Sequence, residues 1–265
     1  MDKKITIKDI AKQAGVSVAT VSYVINDRTD QRISEETRKK ILQIVNLLDY
    51  KPNSSAKSLA TNKTFHIALY VMPEASLLKR SEQLLVVEVL AEVLKNHGYH
   101  LVFQSSTDIV NLNNVDAILC YDATFDFFHN IGDKNFIPLI AIDTLVDIPW
   151  FFQICNDYSS IKEKADHFFG KDNYTYVCLT PNNDLLKSHI TNSFAHTTFI
   201  QDFHELSDSF MKNIVYSQEA LQPILAGRKS SYYIPLDHYK KLRKVYECIE
   251  LAIQRVPDLE HRLFV

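Results

Sequence analysis

Glycine is scarce in this chain of 265 residues, with only Gly15, Gly98, Gly132, Gly170 and Gly227. An average globular composition near 7% would give about 19. No two lie close enough to form G-x-G-x-x-G, and none opens G-K-S/T. Backbone cradles for phosphates and dinucleotides need closely spaced glycines, because a Cβ blocks the approach. The sequence therefore argues against a P-loop nucleotidase, a Rossmann dehydrogenase and a G-x-S-x-G hydrolase. Paired cysteines are lacking too. Cys120, Cys155, Cys178 and Cys248 are scattered without a C-x-x-C pair, which suits reduced, buried thiols better than a disulfide framework or a zinc site. Long apolar runs are absent: Leu84 to Leu94, the most apolar stretch, is interrupted by Glu88 and Glu92 and is too short to span a bilayer. Met1-Asp2-Lys3-Lys4 is followed by no apolar segment, so no signal peptide, no membrane partner and a cytoplasmic location are expected.

What is present is an uneven distribution of charge. The formal net charge is −3, but residues 1–64 carry 12 Lys and Arg against 7 Asp and Glu, a balance of +5. The rest carries 17 against 25, a balance of −8. A basic head on an acidic body points to a polyanion as the partner of the head.

The head has the punctuation of short helices. Thr6 is placed as an N-cap, with Asp9 in the reciprocal position of a capping box. Ile7, Ile10, Ala11 and Ala14 then recur on one face, and Gly15 supplies the left-handed conformation that ends the helix. Ser17 caps a second helix with an inward stripe of Val21, Val24 and Ile25. Two short helices across a glycine turn read as a helix-turn-helix, whose second helix enters the major groove of DNA. Ser34-Glu35-Glu36 starts a third helix, where Ile41, Ile44, Val45 and Leu48 close a three-helix core. Pro52 ends it, biasing Lys51 away from helix. Asn53 to Ala60 holds too little apolar surface to fold alone and reads as a linker or a partner-induced helix.

Thr6-Ile7-Lys8-Asp9-Ile10-Ala11, Ala14-Gly15-Val16-Ser17, Thr20-Val21-Ser22, Val24-Ile25-Asn26, Ser34-Glu35-Glu36-Thr37-Arg38 and Tyr50-Lys51-Pro52-Asn53 together resemble the headpiece of the lactose/galactose repressor (LacI/GalR) family. The likeness is nearly continuous over residues 5–61, and Ala56-Lys57-Ser58-Leu59-Ala60 resembles that family's hinge helix. The resemblance implies a sequence-specific regulator of transcription, expected to be a repressor, with double-stranded operator DNA and a second copy of itself as partners. It implies base contacts from Val18, Ala19 and Tyr23. Val18 and Ala19 can make only apolar contacts, best with a thymine methyl. Tyr23 offers a single hydroxyl where many relatives carry Arg, so the half-site should differ at the facing base. Thr6, Ser17, Thr20, Ser22 and Asn26 can position the head on phosphates. In the hinge, Asn53, Ala56, Lys57 and Leu59 are the expected minor-groove residues, Leu59 wedging into the central base step and bending the duplex.

The remainder alternates strand-like and helix-like segments, an α/β pattern with a mainly parallel sheet. Strands are expected at Phe65–Met72, Tyr99–Gln104, Ala117–Cys120, Leu139–Ile142, Gln153–Cys155 and Tyr174–Leu179. Helices are expected at Leu84–His97, Ser159–Phe169 and from Asp237 to Arg255. His97-Gly98-Tyr99, Val115 to Leu119, Ile137 to Asp143, Asn156-Asp157-Tyr158 and Ser231 to Leu236 resemble the family's two-lobed, periplasmic-binding-protein-like core. The expected architecture is α/β: an N-terminal three-helix helix-turn-helix headpiece (1–52), a hinge helix and linker (53–64), and a shortened two-lobed body (65–265).

The body departs from the family pattern. Ser106 to Val115 is too short for the usual second helix, the chain after Leu179 is abbreviated, and Leu185 to Phe194 holds Lys187 and His189 but no arginine. The usual Gly-Phe-Asp-Asp strand end is also missing. A sugar-like effector at the body is the expectation from the family. The departures keep a second reading open, with the body as a dimerisation or protein-docking module. No effector-binding residue is assigned, and no cofactor. His204-Glu205 lacks the second histidine of H-E-x-x-H, and Thr197 to Ile200 reads as a strand, separating His196 from His204, so no metal site is expected. Asp143, Asp147 and Asp157 read as strand-end and turn residues. The aromatics Phe125, Phe127, Phe128 and Trp150-Phe151-Phe152 read first as core, and no motif supports a catalytic residue or an enzyme.

Overall fold

A computed structural model describes residues 5–26, 28, 31–50, 61, 63–202, 205 and 213–265. The fold separates into two units, Met1–Lys63 and Thr64–Val265.

In the first unit, α1 (Ile7–Ala14), α2 (Val18–Ile25) and α3 (Glu35–Leu47) enclose Ile10, Ala11, Ala14, Val21, Val24, Ile41 and Ile44. Each start has a local cause. The Asp9 carboxylate accepts hydrogen bonds from the Thr6 backbone N–H at 2.9 Å and from its hydroxyl at 2.6 Å. Ser17 Oγ accepts from the Thr20 N–H and Ser34 Oγ from the Thr37 N–H, occupying donors that have no partner within the helix. Gly15 ends α1 at φ 71°, and the Val16 N–H returns to the Ala11 carbonyl. Ala11 and Val21 meet in the core as their spacing around Gly15 predicts. The hinge residues Asn53, Ala56, Lys57 and Leu59 lie outside the described residues.

The second unit has two parallel sheets. Lobe 1 contains β1 (His66–Val71), β2 (His100–Gln104), β3 (Ala117–Tyr121), β4 (Leu139–Ile142), β5 (Gln153–Cys155) and β10 (Arg262–Phe264), in the order β10-β5-β4-β3-β1-β2. One face is covered by α4 (Leu77–Asn96) and α9 (His238–Gln254), through Val86, Leu90, Leu242 and Val245. The other face packs on α5 (Phe125–Lys134) through Phe127, Phe128 and Ile131. Lobe 2 contains β6 (Thr175–Leu179), β7 (Thr197–Ile200), β8 (Ile214–Tyr216) and β9 (Ser231–Tyr233), in the order β7-β6-β8-β9. Here α6 (Tyr158–Phe169) and α7 (Asp184–Ser193) cover one face. A 3₁₀ turn at Glu219–Leu221, the short α8 (Gln222–Leu225) and Leu78 of α4 cover the other. Parallel pairing forces these crossovers, because a tight hairpin cannot join parallel strands.

Several features differ from what the sequence predicts, among them β8 and α7, which it did not show. The helix expected to begin at Leu84 begins at Leu77, capped by Ser76. Its first turns carry Lys79, Glu82 and Gln83, which are buried. Residues 125–134 form a helix, and Phe127 and Phe128 are its core face. A last three-residue strand, β10, joins β5 in register Arg262↔Gln153, too short to give a periodic signal. The segment 105–115 holds neither helix nor strand, in line with the shortening expected there. Asn135 fastens it by accepting from the Leu112 N–H and donating to the Val110 carbonyl. Phe125 and Trp150 are exposed, at 40% and 72%, so they are not core.

A Cβ at Gly15 would meet nothing within 4 Å, so substitution there costs conformation alone. Gly15→Ala should destabilise the first unit by about 1 kcal/mol, the cost of a left-handed non-glycine residue. Thermal unfolding of the full chain, followed through the headpiece transition, measures this, and no shift would contradict the assignment of strain.

Candidate nucleic-acid interface and interlobe cleft

The second helix of the head starts at Ser17, so its first turn carries Val18 and Ala19 on the exposed side, opposite Val21 and Val24. Val18 is 41% exposed. Tyr23 lies just over a turn further on and is half-buried, so these three candidates share one outward face of α2. The Arg28 guanidinium stands over the Tyr23 ring, 5.6 Å from its centroid, within range of a cation–π contact. Arg28 is exposed, and it is a residue the sequence reading did not single out. The only signal for it is an arginine two positions beyond the cap of a recognition-type helix.

The candidate phosphate residues are engaged locally. The Thr6 hydroxyl donates to Asp9. The Asn26 amide donates to the Ser22 carbonyl at 2.8 Å and to its hydroxyl at 3.3 Å. The Ser17 and Thr20 hydroxyls are 2.9 Å apart. Of two hydroxyl hydrogens only one is consumed in that contact, leaving one donor at the N-terminal end of α2. The arrangement can therefore receive a phosphate without breaking its cap.

In the second unit the two lobes meet along a cleft at the C-terminal ends of β3, β4 and β6, the end of a parallel sheet where ligands of α/β folds bind. Asp122 follows β3 and Asp143 follows β4, both at φ 45°, a left-handed conformation that Asp tolerates better than most residues. Lys79 enters from the first turn of α4. Its ammonium lies 2.9 Å from Glu74, 3.3 Å from Asp122 Oδ2 and 2.9 Å from Asn182 Oδ1 of lobe 2. Asn182 closes the ring, donating its backbone N–H to Asp122 Oδ1 at 2.8 Å and its amide to the Asp122 carbonyl at 3.0 Å. Its neighbour Asn183 donates to the carbonyls of Ala123 and Leu145 and accepts from the Leu145 N–H. The Ser76 hydroxyl reaches the Gln201 carbonyl, and the Ala220 N–H donates to Glu82 at 3.2 Å.

Glu82 and Asp143 lie deeper. Lys241 of α9 pairs with Asp143 Oδ2 at 2.7 Å and is almost fully buried. The other oxygen, Asp143 Oδ1, and Gln83 Nε2 are buried and make no hydrogen bond. Burial pushes the Glu82 carboxyl up to about 7, against the Ala220 N–H and the Lys241 charge that lower it. It pushes Asp122 up to about 6, against Lys79. His238 at the start of α9 is held neutral, its pKa lowered to about 4 by burial and by Lys241. Lys79, Glu82 and Gln83 stand at i, i+3 and i+4 on one face of α4, in turns that precede the helix start expected from sequence at Leu84. Asp143 was singled out from sequence. Asp157 caps α6 and Asp147 is exposed, so those three carboxyls form no cluster.

Residues 6–53 match the family model described as bacterial regulatory proteins, lacI family. The chain is 26% identical over 243 residues to the HTH-type transcriptional regulator MalR of Staphylococcus xylosus, covering 84% of this chain and 70% of that protein. It is 36% identical over 137 residues to catabolite control protein A of Streptococcus mutans, covering 50% of this chain and 39% of that protein. In fold it is similar to a Lac repressor dimer bound to operator and the anti-inducer ONPF. That match has a TM-score of 0.58 and 14% identity, over 99% of this chain and 96% of the other. Among the described residues no helix is long and apolar enough to cross a membrane.

The raised cleft carboxyls have a definite pH consequence. Unfolded, Glu82 titrates near its ordinary value of 4.5; folded, it titrates at about 7. Over that window the folded state binds more protons, so stability is greatest at the acidic end and is lost as pH rises. Asp122 acts with the same sign between 3.8 and about 6. Glu82→Gln should flatten the decline in melting temperature between pH 5 and pH 8. An unchanged decline would remove Glu82 as its source.

Proposed function

The chain belongs to the lacI family of bacterial regulatory proteins, and on that premise we propose that it is a cytoplasmic, homodimeric repressor whose two heads read the halves of a pseudo-palindromic operator. DNA-binding regulation of transcription is the family's function. The observation that carries the finer reading is the outward face of α2, where Val18, Ala19 and Tyr23 lie together above a capped helix start with a spare hydroxyl donor. Val18 and Ala19 supply apolar contact for thymine methyls, and the Tyr23 hydroxyl supplies one polar contact. Arg28, over the Tyr23 ring, adds a cation beside them for a phosphate or a guanine edge. The hinge residues Asn53, Ala56, Lys57 and Leu59 enter the minor groove, with Leu59 as the wedge. The chemistry is binding alone: the body's relatives are regulators, and no catalytic role is assigned to any residue.

A second copy is required to read two half-sites, and lobe 1 offers it a surface. Leu77 and Leu84 of α4 and Phe103 of β2, exposed by 67%, 57% and 50%, border one apolar groove. Burying the exposed half to two-thirds of each contributes roughly 1–2 kcal/mol per side chain. The body then carries the effector response. A ligand at the cleft shifts DNA affinity only by the difference in its affinity for the two lobe arrangements. The competing reading, a body that only dimerises or docks a protein, draws support from the closure of the cleft by the chain's own side chains.

Selection from random duplexes at fixed salt tests the reading. Two inverted half-sites are expected, and affinity should fall with salt by a logarithmic slope of about 0.9 for each neutralised phosphate. Tyr23→Arg should change the preferred base at one position of each half-site. Leu84→Arg should yield monomers in sedimentation and weaken operator binding by at least tenfold. Leu59→Ser should abolish DNA bending in a gel-phasing assay. A salt-independent or unselective interaction would defeat the proposal.

A further inference from the structure

The wall of the interlobe cavity has a composition that selects one class of ligand. Glu82, Asp122 and Asp143 contribute three carboxyl groups to it, against the single ammonium of Lys79, and no arginine lines it. Lys79 is already saturated by Glu74, Asp122 and Asn182. Lys241 approaches Asp143 on one oxygen only. Asp143 Oδ1 is left as a buried acceptor, and Gln83 Nε2 as a buried donor, on residues that are both 9% exposed. Tyr121, Tyr158 and Tyr176 complete the wall with aromatic surface. Unmade hydrogen bonds at buried atoms are costly, and excess buried negative charge is costlier still unless a cation or a proton relieves it. Tyrosine faces attract cations. An anionic effector such as a sugar phosphate is disfavoured by the same charges.

We propose that this cavity binds a small organic cation, a primary ammonium with a hydroxyl or carbonyl oxygen one or two carbons away. The ammonium donates to Asp143 Oδ1 beside Glu82, and the oxygen accepts from Gln83 Nε2. This inference rests on the reading of the body as an effector-binding unit, and it narrows the ligand from a sugar to an amine. The size agrees: the cavity measures about 50 Å³, above the roughly 10–15 Å³ needed to hold one water and a space for a few heavy atoms. That suits an ethanolamine-sized molecule rather than a hexose.

The test compares ethanolamine hydrochloride with ethylene glycol, its neutral counterpart, on the full chain at constant ionic strength, with NaCl as the matched salt. Melting temperature should rise progressively with ethanolamine and stay unchanged with the diol. Titration calorimetry should give a binding isotherm for the amine alone. Gln83→Leu, which leaves both ion pairs intact, should weaken amine binding about tenfold, the loss of one hydrogen bond. Asp143→Asn should abolish it; because that change also strips Lys241 of its partner, the Gln83 variant carries the argument if the Asn variant does not fold. Equal binding of the diol would overturn the inference while leaving an effector cleft. Absence of binding by either compound would overturn it too. Operator affinity, measured separately, shows whether the DNA-binding reading survives in each case.

Discussion

The body depends on one buried ammonium. Lys79 brings Glu74, Asp122 and Asn182 to a single point, and through Asn182 it ties a strand end of lobe 1 to the first loop residues of lobe 2. An ammonium placed there without acceptors would be driven to lose its proton or leave the interior. With three, it fixes the α4 N-terminus, the Asp122 turn and the 181–183 loop together. The remaining interlobe contacts follow from that placement. Glu82 lies one turn along the same helix and meets Ala220, Leu78 enters the lobe 2 core, and Ser76 reaches Gln201. A helix that in sequence belongs to lobe 1 thus serves as the wall of both lobes.

The headpiece was legible in the sequence because its structure is set by short-range chemistry. Thr6, Gly15, Ser17 and Ser34 each act within four residues of themselves, and the apolar face of each helix is regular enough to count. Most strands of the body were also plain, since the covered strands of a parallel sheet are runs of apolar residues; the three-residue β8 and β10 were not. The site in the body was hidden for the opposite reason. Its residues are polar, they come from segments spread between Lys79 and Lys241, and only the packing of α4 against lobe 2 turns Lys79, Glu82 and Gln83 inward. A helix reading based on apolar spacing begins where the apolar stripe begins, at Leu84. The helix itself begins at Leu77, where the cleft begins. What the sequence did signal was the loss of the family's usual arginine and strand-end aspartates. The structure puts in that region a different set of charges rather than none.

The scarcity of glycine has the same local logic. Asp122 and Asp143 hold left-handed turns at the mouths of β3 and β4, a conformation that glycine adopts at no steric cost. Using Asp at these corners places a carboxylate at the strand end, aimed into the cleft, at a backbone cost of order 1–3 kcal/mol each. Glycine poverty, which excludes phosphate cradles, thereby coexists with an acidic cleft.

The route from cleft to head is short in chain terms. Where the second unit begins, Asp116 accepts hydrogen bonds from the Thr64 N–H and hydroxyl on one oxygen and from the Phe65 N–H on the other, at 2.6 to 2.8 Å. Asp116 directly precedes β3, and Asp122 directly follows it. One five-residue strand, about 17 Å long at the usual rise, therefore has the clamp on the incoming chain at one end and the lobe junction at the other. β3 is bonded on both sides, to β1 and β4, so it cannot bend without breaking two ladders. Any displacement of Asp122 therefore passes along a strand that moves as a unit or not at all.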